Sequence, residues 1–313
     1  MKKILITGGA GFIGYHLASC LSQNSKNFIY IIDNLSRGRL DKEFKELLNK
    51  KNVKFFNLDL SKNLKINLKN INTTYHLAAK VGVANVNKSP IDTINLNILS
   101  LINVINFLKK NSPKSKIIFF STSEIYSPLI FNNYSKQPFS EKENLILTDK
   151  IKPRDSYFLS KIFGEKYVKL SGMSYLILRP HNIYGPRMGY SHVIPELIKR
   201  MSNSKEVDVF SPNHTRAFCY IDDAVSQILF VEKKGRNEIY NIGNPNEETK
   251  IFDLANIIKT LLNSKTKLNR GIITQGSPPK RFPNIKKIKI LGYKNKFNNL
   301  KSGIIKTIKW YQK

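Results

Sequence analysis

Short apolar runs alternate with longer amphipathic segments along the first half of the chain. Each run is as short as a strand that is buried on both faces, and each longer segment repeats apolar residues at spacings of three and four, which is typical of helices. This alternation predicts a doubly wound parallel sheet covered by helices on both faces. The predicted strands are residues 3–7, 28–33, 53–58, 74–77, 116–121 and 175–179, and the predicted helices are residues 11–22, 41–49, 91–110 and 156–171.

The pattern changes after residue 179, where prolines separate short elements. At this length a chain begins to divide into two domains. We therefore expect a sheet domain over residues 1–178, rejoined by about residues 215–242, and a smaller α/β lobe over residues 179–313. Residues 127–155 contain three prolines and no sustained period, which predicts a long loop of the kind that often forms a lid.

The chain is strongly basic, with 52 Lys and Arg against 22 Asp and Glu and a formal net charge of +30. A basic surface attracts polyanions, so nucleic acid or a membrane surface is one interpretation. Lysine is spread along the whole chain together with Asn and Ile, which favours a general compositional bias instead. We expect neither a nucleic-acid nor a membrane partner, and we expect the charge to attract an anionic substrate.

Cysteine content and apolar run lengths indicate the compartment. Cys20 and Cys219 are too few for a disulfide framework and lack metal-ligand spacing, so no metal site is expected. The apolar start of the chain is too short for a signal peptide, and no run of consecutive apolar residues reaches the ~20 that a membrane span needs. A cytoplasmic protein is expected.

Glycines mark the point where the first strand turns into the first helix. The segment TGGAGFIG places Gly8, Gly11 and Gly14 there. Glycine permits a tight turn and lets backbone amides and the positive helix end approach a pyrophosphate. Asp33 closes the second strand, where a carboxylate binds the adenine ribose hydroxyls and repels the extra phosphate of NADP. The sequence therefore predicts an NAD site.

Four residues near this predicted NAD site leave its cofactor or their own role open. Arg37 and Arg39 keep NADP open as the cofactor. Asp59 either meets the adenine or makes a turn, and His76 either lies beside the cofactor or is a core histidine. The other residues expected to contact the dinucleotide are Phe12, Ile13, Asn34, Leu60, Ala78 and Ala79.

Tyr157 and Lys161 are four residues apart on one predicted helix, so their side chains share a face. A free phenol titrates near pH ~10. A neighbouring ammonium and the positive nicotinamide ring favour the phenolate, which makes Tyr157 a candidate general base. Thr122 lies at the carboxyl end of the fifth predicted strand, directly after residue 121, at the sheet edge where open α/β folds bind ligands.

Six motifs together resemble the extended short-chain dehydrogenase/reductase family, in particular its NAD-dependent nucleotide-sugar epimerases, dehydratases and decarboxylases. They are TGGAGFIG, Asp33, HLAA at residues 76–79, STSEIY at 121–126, YFLSK at 157–161 and RPHNIYGPR at 179–187. The resemblance covers nearly the whole chain. It implies a Rossmann fold with a C-terminal substrate lobe, bound NAD, a nucleotide-diphosphate-sugar substrate and a homodimer.

The resemblance also implies roles for individual residues. Tyr157 is then the catalytic base, Lys161 binds the nicotinamide ribose and tunes Tyr157, and Thr122 bonds the sugar hydroxyl. Asn97 corresponds to a structural, water-binding asparagine beside the cofactor. The residues expected to bind the substrate phosphates are Asn182, Arg187, Arg216 and Arg281.

The implied reaction passes through a 4-keto sugar and ends in one of three ways. Returned hydride gives a 4-epimerase, loss of water a 4,6-dehydratase, and loss of carbon dioxide a decarboxylase. Glu124, two residues after Thr122, either moves a proton at C5 or braces the strand end, and the three outcomes stay open. The alternative is a dinucleotide-binding protein without sugar turnover, a sensor or an RNA-associated protein, for which a damaged Tyr and Lys pair is expected.

Overall fold

The structure is a computed structural model that describes residues 1–132, 136–147, 149–294 and 296–312. Its contacts divide the chain into two compact units. The first unit comprises the described residues of Met1–Ile125, Thr148–Arg179 and Ile228–Tyr240, and the second those of Tyr126–Leu147, Pro180–Gln227 and Asn241–Lys313.

Strands and helices alternate along the chain. The strands are β1 (Lys2–Thr7), β2 (Asn27–Asp33), β3 (Val53–Asn57), β4 (Thr73–His76), β5 (Lys116–Phe120), β6 (Tyr175–Pro180), β7 (Ile183–Tyr184), β8 (Glu206–Val209), β9 (Thr215–Ala217), β10 (Cys219–Tyr220), β11 (Glu238–Ile242), β12 (Glu248–Lys250), β13 (Lys267–Arg270) and β14 (Lys280–Arg281). The helices are α1 (Phe12–Leu21), α2 (Lys42–Leu48), α3 (Val83–Lys88), α4 (Pro90–Asn111), α5 (Ser127–Phe131), α6 (Asp155–Leu170), α7 (Val193–Asn203), α8 (Ile221–Lys234), α9 (Ile251–Leu261), α10 (Lys286–Ile290) and α11 (Leu300–Tyr311).

A seven-stranded sheet in the order β11-β6-β5-β4-β1-β2-β3 forms the centre of the first unit. The pairs from β6 to β3 are parallel, and the order reverses between β1 and β4, which is the doubly wound topology. The predicted fold class is confirmed. Thr7 is in register with Ile32 and with His76, so β1, β2 and β4 end at one edge of the sheet.

Aliphatic side chains from the sheet and from α4 make the core of the first unit. Leu5, Ile117 and Ile177 on the strands pack with Val104 and Leu108 of α4, all fully buried. Of the described helices, α4 is the one long and apolar enough to cross a membrane by length and composition alone, and 44% of that stretch is buried inside the protein. Its apolar face is explained by this core.

A buried ion pair joins α6 to β6. Arg179 donates from Nε to Glu165 Oε1 at 2.9 Å and from Nη2 to Glu165 Oε2 at 2.7 Å. The two side chains are 2% and 3% exposed. Two parallel bonds from one guanidinium to one carboxylate fix direction as well as distance, so the pair sets the position of α6 against the sheet.

The second unit contains three small sheets, in the orders β10-β7, β12-β9-β14 and β13-β8. It also includes part of the predicted loop at residues 127–155, where the structure has the helix α5, of 5 residues. A helix this short shows no full apolar period, so the sequence pattern could not indicate it. Residues 133–135 and 148 of that loop, and residues 295 and 313 of the predicted lobe, lie outside the described residues.

Candidate functional site

A glycine cradle connects β1 to α1. Gly8 has a φ of +73°, and a Cβ there would lie 2.7 Å from the backbone nitrogen of Ala78. A Cβ on Gly14 would lie 2.3 Å from the carbonyl oxygen of Gly8. The N-cap of α1 is Gly11, which has no side chain to cover the amides of the helix that begins at Phe12. The positive helix end can therefore meet a pyrophosphate, as predicted.

Asp33 is held beside this cradle by backbone amides. Its Oδ2 accepts from the nitrogen of Ala10 at 3.1 Å, and its Oδ1 accepts from the nitrogen of Leu35 at 2.8 Å. A Cβ on Gly38 would lie 3.0 Å from Asp33 Oδ1, so the chain after β2 passes close to the carboxylate. A fixed carboxylate at the end of β2 together with the glycine cradle fits a dinucleotide.

Asp59 and Asn34, both predicted to contact the dinucleotide, make local turns. Asp59 Oδ1 accepts from both the nitrogen and the hydroxyl of Ser61, at 2.9 and 2.8 Å, which is the turn role left open by the sequence. Asn34 Oδ1 accepts from the nitrogen of Ser36 at 3.1 Å. The Leu60 side chain is buried in the core, so it is the backbone of Leu60 that remains a candidate contact.

His76 is a core histidine. Its Nδ1 lies 2.9 Å from the hydroxyl of Thr7, and burial lowers its pKa to about 3, so the ring is neutral. The nitrogen of Ala78 donates to the same hydroxyl at 3.4 Å, which holds the end of β4 against β1. Ala79 after β4 and Ile13 in the first turn of α1 are half-buried.

Tyr157 and Thr122 are brought together as predicted, close enough for the Thr122 hydroxyl to act on the phenol. Burial raises the pKa of the Tyr157 phenol well above its usual range, and the charge of Glu124 raises it further. The Thr122 hydroxyl and the charge of Arg37 lower the pKa of the phenol. A phenol in this position needs additional positive charge to become a base near neutral pH.

Lys161 lies next to Tyr157 and is buried. Its ammonium donates to the carbonyl oxygen of Phe120 at 2.8 Å and lies 5.9 Å from the centre of the Tyr157 ring. Burial lowers the pKa of Lys161 to about 7, against the opposing charge of Glu165. The convergence of a phenol, an ammonium and a hydroxyl at positions 157, 161 and 122 is therefore present within the first unit.

Asn97 braces the segment after β4 against α6. Its Oδ1 accepts from the nitrogen of Lys80 at 2.6 Å, and its Nδ2 donates to the carbonyl oxygen of Lys80 at 3.3 Å and to the hydroxyl of Ser160 at 3.0 Å. Ser160 in turn donates to the carbonyl oxygen of Tyr157 at 2.7 Å. Asn97 thus supports the helix that carries Tyr157.

Replacing Lys161 with Met is expected to stabilise the cofactor-free protein by about 1–4 kcal/mol at pH 7, because a buried ammonium is replaced by an apolar chain of similar length. The pH dependence of this stability difference follows from the pKa of Lys161 in the folded and unfolded protein. The folded pKa of Lys161 is about 7 and its ordinary pKa is 10.5, so between those values the unfolded chain binds more protons and native stability rises with pH.

The difference between the variant and the native protein should therefore shrink as the pH approaches about 10. Urea unfolding of both cofactor-free proteins at about pH 7 and about pH 9.5 measures it. A variant less stable than the native chain at the lower pH would contradict the cost assigned to the buried ammonium.

Two arginines lie side by side in the second unit. Arg216 of β9 is in register with Arg281 of the parallel strand β14. Arg216 donates to the carbonyl oxygen of Thr215 at 2.7 Å and to the hydroxyl of Ser277 at 2.8 Å, which orients its guanidinium. Paired guanidinium groups on neighbouring strands can bind phosphate oxygens in bidentate fashion.

Asn182 and Arg187 are also predicted to bind phosphate, and both have a positive φ. Asn182 donates from Nδ2 to the carbonyl oxygens of Ala217 and Arg281, both at 3.1 Å, and has a φ of +42°. Arg187 is buried and has a φ of +65°. Asn182 therefore positions the strand that carries Arg281.

Arg154 is a neighbour of the site that sequence reasoning missed. Its Nη2 lies 3.5 Å from Glu124 Oε1, and the nitrogen of Glu124 donates to the hydroxyl of Thr122 at 3.2 Å. The Glu124 carboxylate thus pairs with Arg154, and its two predicted roles, moving a proton at C5 or bracing the strand end, stay predictions. The available signal was position, since Arg154 precedes Tyr157 by about one helical turn.

Known proteins resemble the chain over its whole length. The model of the "NAD dependent epimerase/dehydratase family" matches residues 4–243. A UDP-N-acetyl-alpha-D-glucosaminuronate decarboxylase of Bacillus cytotoxicus is 32% identical over 99% of this chain and 98% of its own.

Two solved epimerase structures have the same fold. A UDP-N-acetylglucosamine 4-epimerase of Methanobrevibacter ruminantium, in complex with UDP-N-acetylmuramic acid, has a TM-score of 0.84, 26% identity and coverage of 99% of this chain and 98% of its own. A Tyr-to-Phe variant of a UDP-glucuronic acid 4-epimerase from Bacillus cereus, in complex with NAD and a fluorinated UDP-sugar, has a TM-score of 0.83, 26% identity and coverage of 99% of both chains.

Proposed function

Since the chain belongs to the NAD dependent epimerase/dehydratase family, we propose that it converts a nucleotide-diphosphate sugar through a transient 4-keto intermediate. The observation that carries the proposal is the convergence of the Tyr157 phenol and the Thr122 hydroxyl, with the buried ammonium of Lys161 beside the phenol ring. NAD fits the glycine cradle and Asp33, and when bound it supplies a reversible hydride acceptor.

The chain's own residues move and hold one proton in this mechanism. Tyr157 accepts the proton of the C4 hydroxyl while the C4 hydrogen leaves as hydride, so the C–O bond becomes a carbonyl. The Thr122 hydroxyl orients the sugar oxygen, and the ammonium of Lys161 stabilises the phenolate of Tyr157. In an epimerase or a decarboxylase the protonated Tyr157 returns its proton when the C4 carbonyl is reduced again. In a 4,6-dehydratase the carbonyl stays and the hydride returns to C6 after loss of water, so no cofactor is consumed in any of the three outcomes.

The nature of the second step distinguishes the three family outcomes. Incubating the purified protein with UDP-glucose, UDP-N-acetylglucosamine, UDP-glucuronic acid and dTDP-glucose, followed by mass spectrometry and chromatography, separates them. Loss of water indicates a dehydratase, loss of carbon dioxide a decarboxylase, and an isomer of unchanged mass an epimerase. No turnover of any of the four, with RNA affinity retained at high salt, would replace the proposal with the binding-protein alternative.

The two units have separate binding tasks in this proposal. The first unit holds the dinucleotide, and in the second unit Arg216 and Arg281 bind the diphosphate of the substrate. Their register on β9 and β14 supports this assignment, because adjacent parallel positions place two guanidinium groups on one face.

A homodimer through α4 and α6 is also proposed. The two helices pack together, and Leu96, Leu99 and Phe163 on them are exposed although large and apolar. A second copy that contributes the same two helices would cover them. Sedimentation should give a dimer for the native chain and a monomer for Leu99→Glu with Phe163→Glu. Ile290→Glu, at an exposed position on α10, is the control, and a native monomer would contradict the proposal.

A further inference from the structure

Arg154 and Glu124 form an ion pair at the start of α6. Their charged atoms lie 3.5 Å apart, and the two side chains are 20% and 23% exposed. Ions buried to this degree are screened less than a surface pair, so their charges act on near neighbours. The hydroxyl of Thr122 accepts from the nitrogen of Glu124 at 3.2 Å, and both Thr122 and the charge of Glu124 act on the phenol of Tyr157.

Helix stability does not explain a cation at this position. Arg154 is the N-cap of α6, and a helix N-terminus carries partial positive charge that disfavours a basic residue. The acid that suits this end of the helix is already present as Asp155, whose Oδ2 accepts from the nitrogen of Lys152 at 2.8 Å. The guanidinium instead reaches Glu124, on the segment after β5.

From this geometry we infer that Arg154 is a positioning residue for the reaction: it holds the Glu124 carboxylate in place and balances its charge beside the phenol of Tyr157. The inference rests on the proposed function, because it concerns the base of that reaction. Arg154 acts on Tyr157 through Glu124 and contacts no reacting atom in this account.

The charges that face Tyr157 make the direction of the effect clear. Glu124 raises the pKa of the phenol, whereas Arg37 lowers it, and the ammonium of Lys161 lies beside the ring. Removal of Arg154 takes away a positive charge that offsets the charge of Glu124, so the phenolate of Tyr157 becomes harder to form. Removal of Glu124 has the opposite effect and leaves Arg154 without a partner to act through.

The test is the pH dependence of the first hydride step. Single-turnover reduction of bound NAD is followed by absorbance for the native protein, Arg154→Gln, Glu124→Gln and the double variant, with UDP-glucose, UDP-N-acetylglucosamine, UDP-glucuronic acid and dTDP-glucose as probes. Arg154→Gln should raise the midpoint by about 0.5–1 pH unit and slow the step about 3–10-fold at neutral pH. Glu124→Gln should lower the midpoint.

The double variant decides between action through Glu124 and a general effect of charge. Its midpoint should equal that of Glu124→Gln alone, because Arg154 then has nothing to balance. Arg154→Lys should restore part of the native profile. Lys152→Gln is the matched control, since it removes one positive charge from an exposed position two residues away and should shift nothing.

Each remaining outcome has a definite meaning. An equal shift from Arg154→Gln in the presence and absence of Glu124 overturns the inference and leaves the proposed function standing. If Arg154→Gln does not fold, an unshifted Glu124→Gln profile overturns it equally, since that variant keeps Arg154. If the native protein reduces NAD with none of the four probes, the proposed function fails first and the role of Arg154 fails with it.

Discussion

Replacing Tyr157 with Phe is expected to lower turnover of the nucleotide sugar by about 10²–10⁴-fold, because general base catalysis contributes an effect of that size. Phenylalanine fills the same space and removes only the phenolic hydroxyl, which lies beside Thr122. The variant should therefore fold, bind NAD and bind the nucleotide sugar as the native protein does. Steady-state kinetics should show the loss in kcat, with KM nearly unchanged.

Tyr167→Phe is the matched control for this variant. Tyr167 lies on the same helix, packed against the core of the first unit and not at the site. It should retain nearly native turnover. A Tyr157→Phe protein with native kcat would remove Tyr157 from the mechanism, and loss of NAD binding in that variant would indicate a structural role instead.

Replacing Glu165 with Ala is expected to lower the free energy of unfolding by about 3–5 kcal/mol, because the guanidinium of Arg179 is then a buried charge without its carboxylate. Both side chains are almost completely buried and share two hydrogen bonds. Glu165 also lies on α6, so its loss loosens the helix that carries Tyr157. Chemical denaturation with the native protein as reference measures the effect.

Two further variants separate this effect from ordinary charge removal. Asp92→Ala breaks the exposed pair of Asp92 with Lys80, 3.6 Å apart, and should cost only about 0–1 kcal/mol. Glu165→Leu combined with Arg179→Met should recover most of the lost stability, since apolar groups of similar size need no partner. A Glu165→Ala protein as stable as Asp92→Ala would show that the buried pair contributes nothing.

The sheet and its main helices could be predicted because their periods are strong. The predicted helix at residues 91–110 is α4, at Pro90–Asn111, and the predicted strand at 28–33 is β2, at Asn27–Asp33. Long buried segments show their period in the sequence itself. The strand β11, at Glu238–Ile242, was not predicted, because its place in the sheet depends on pairing with β6 far earlier in the chain.

The site was predictable to the extent that chemistry depends on local spacing. Tyr157 and Lys161 share a helix face, and Gly8 and Gly14 lie close together where β1 turns into α1, so short-range geometry was enough to place them together. The pairing of Arg154 with Glu124 joins segments 30 positions apart and depends on the tertiary fold. The turn made by Asp59 and the core position of His76 likewise depend on contacts in the folded protein, which a linear pattern does not contain.

Rapid mixing of the NAD-loaded protein with its nucleotide sugar tests the central claim most directly. If C4 of the sugar passes a hydride to NAD while Tyr157 takes the hydroxyl proton, the absorbance of reduced nicotinamide should rise and then decay within one turnover, and deuterium at C4 should slow the rise. Product formation with no reduced nicotinamide at any time, and with no effect of that deuterium, would contradict the account.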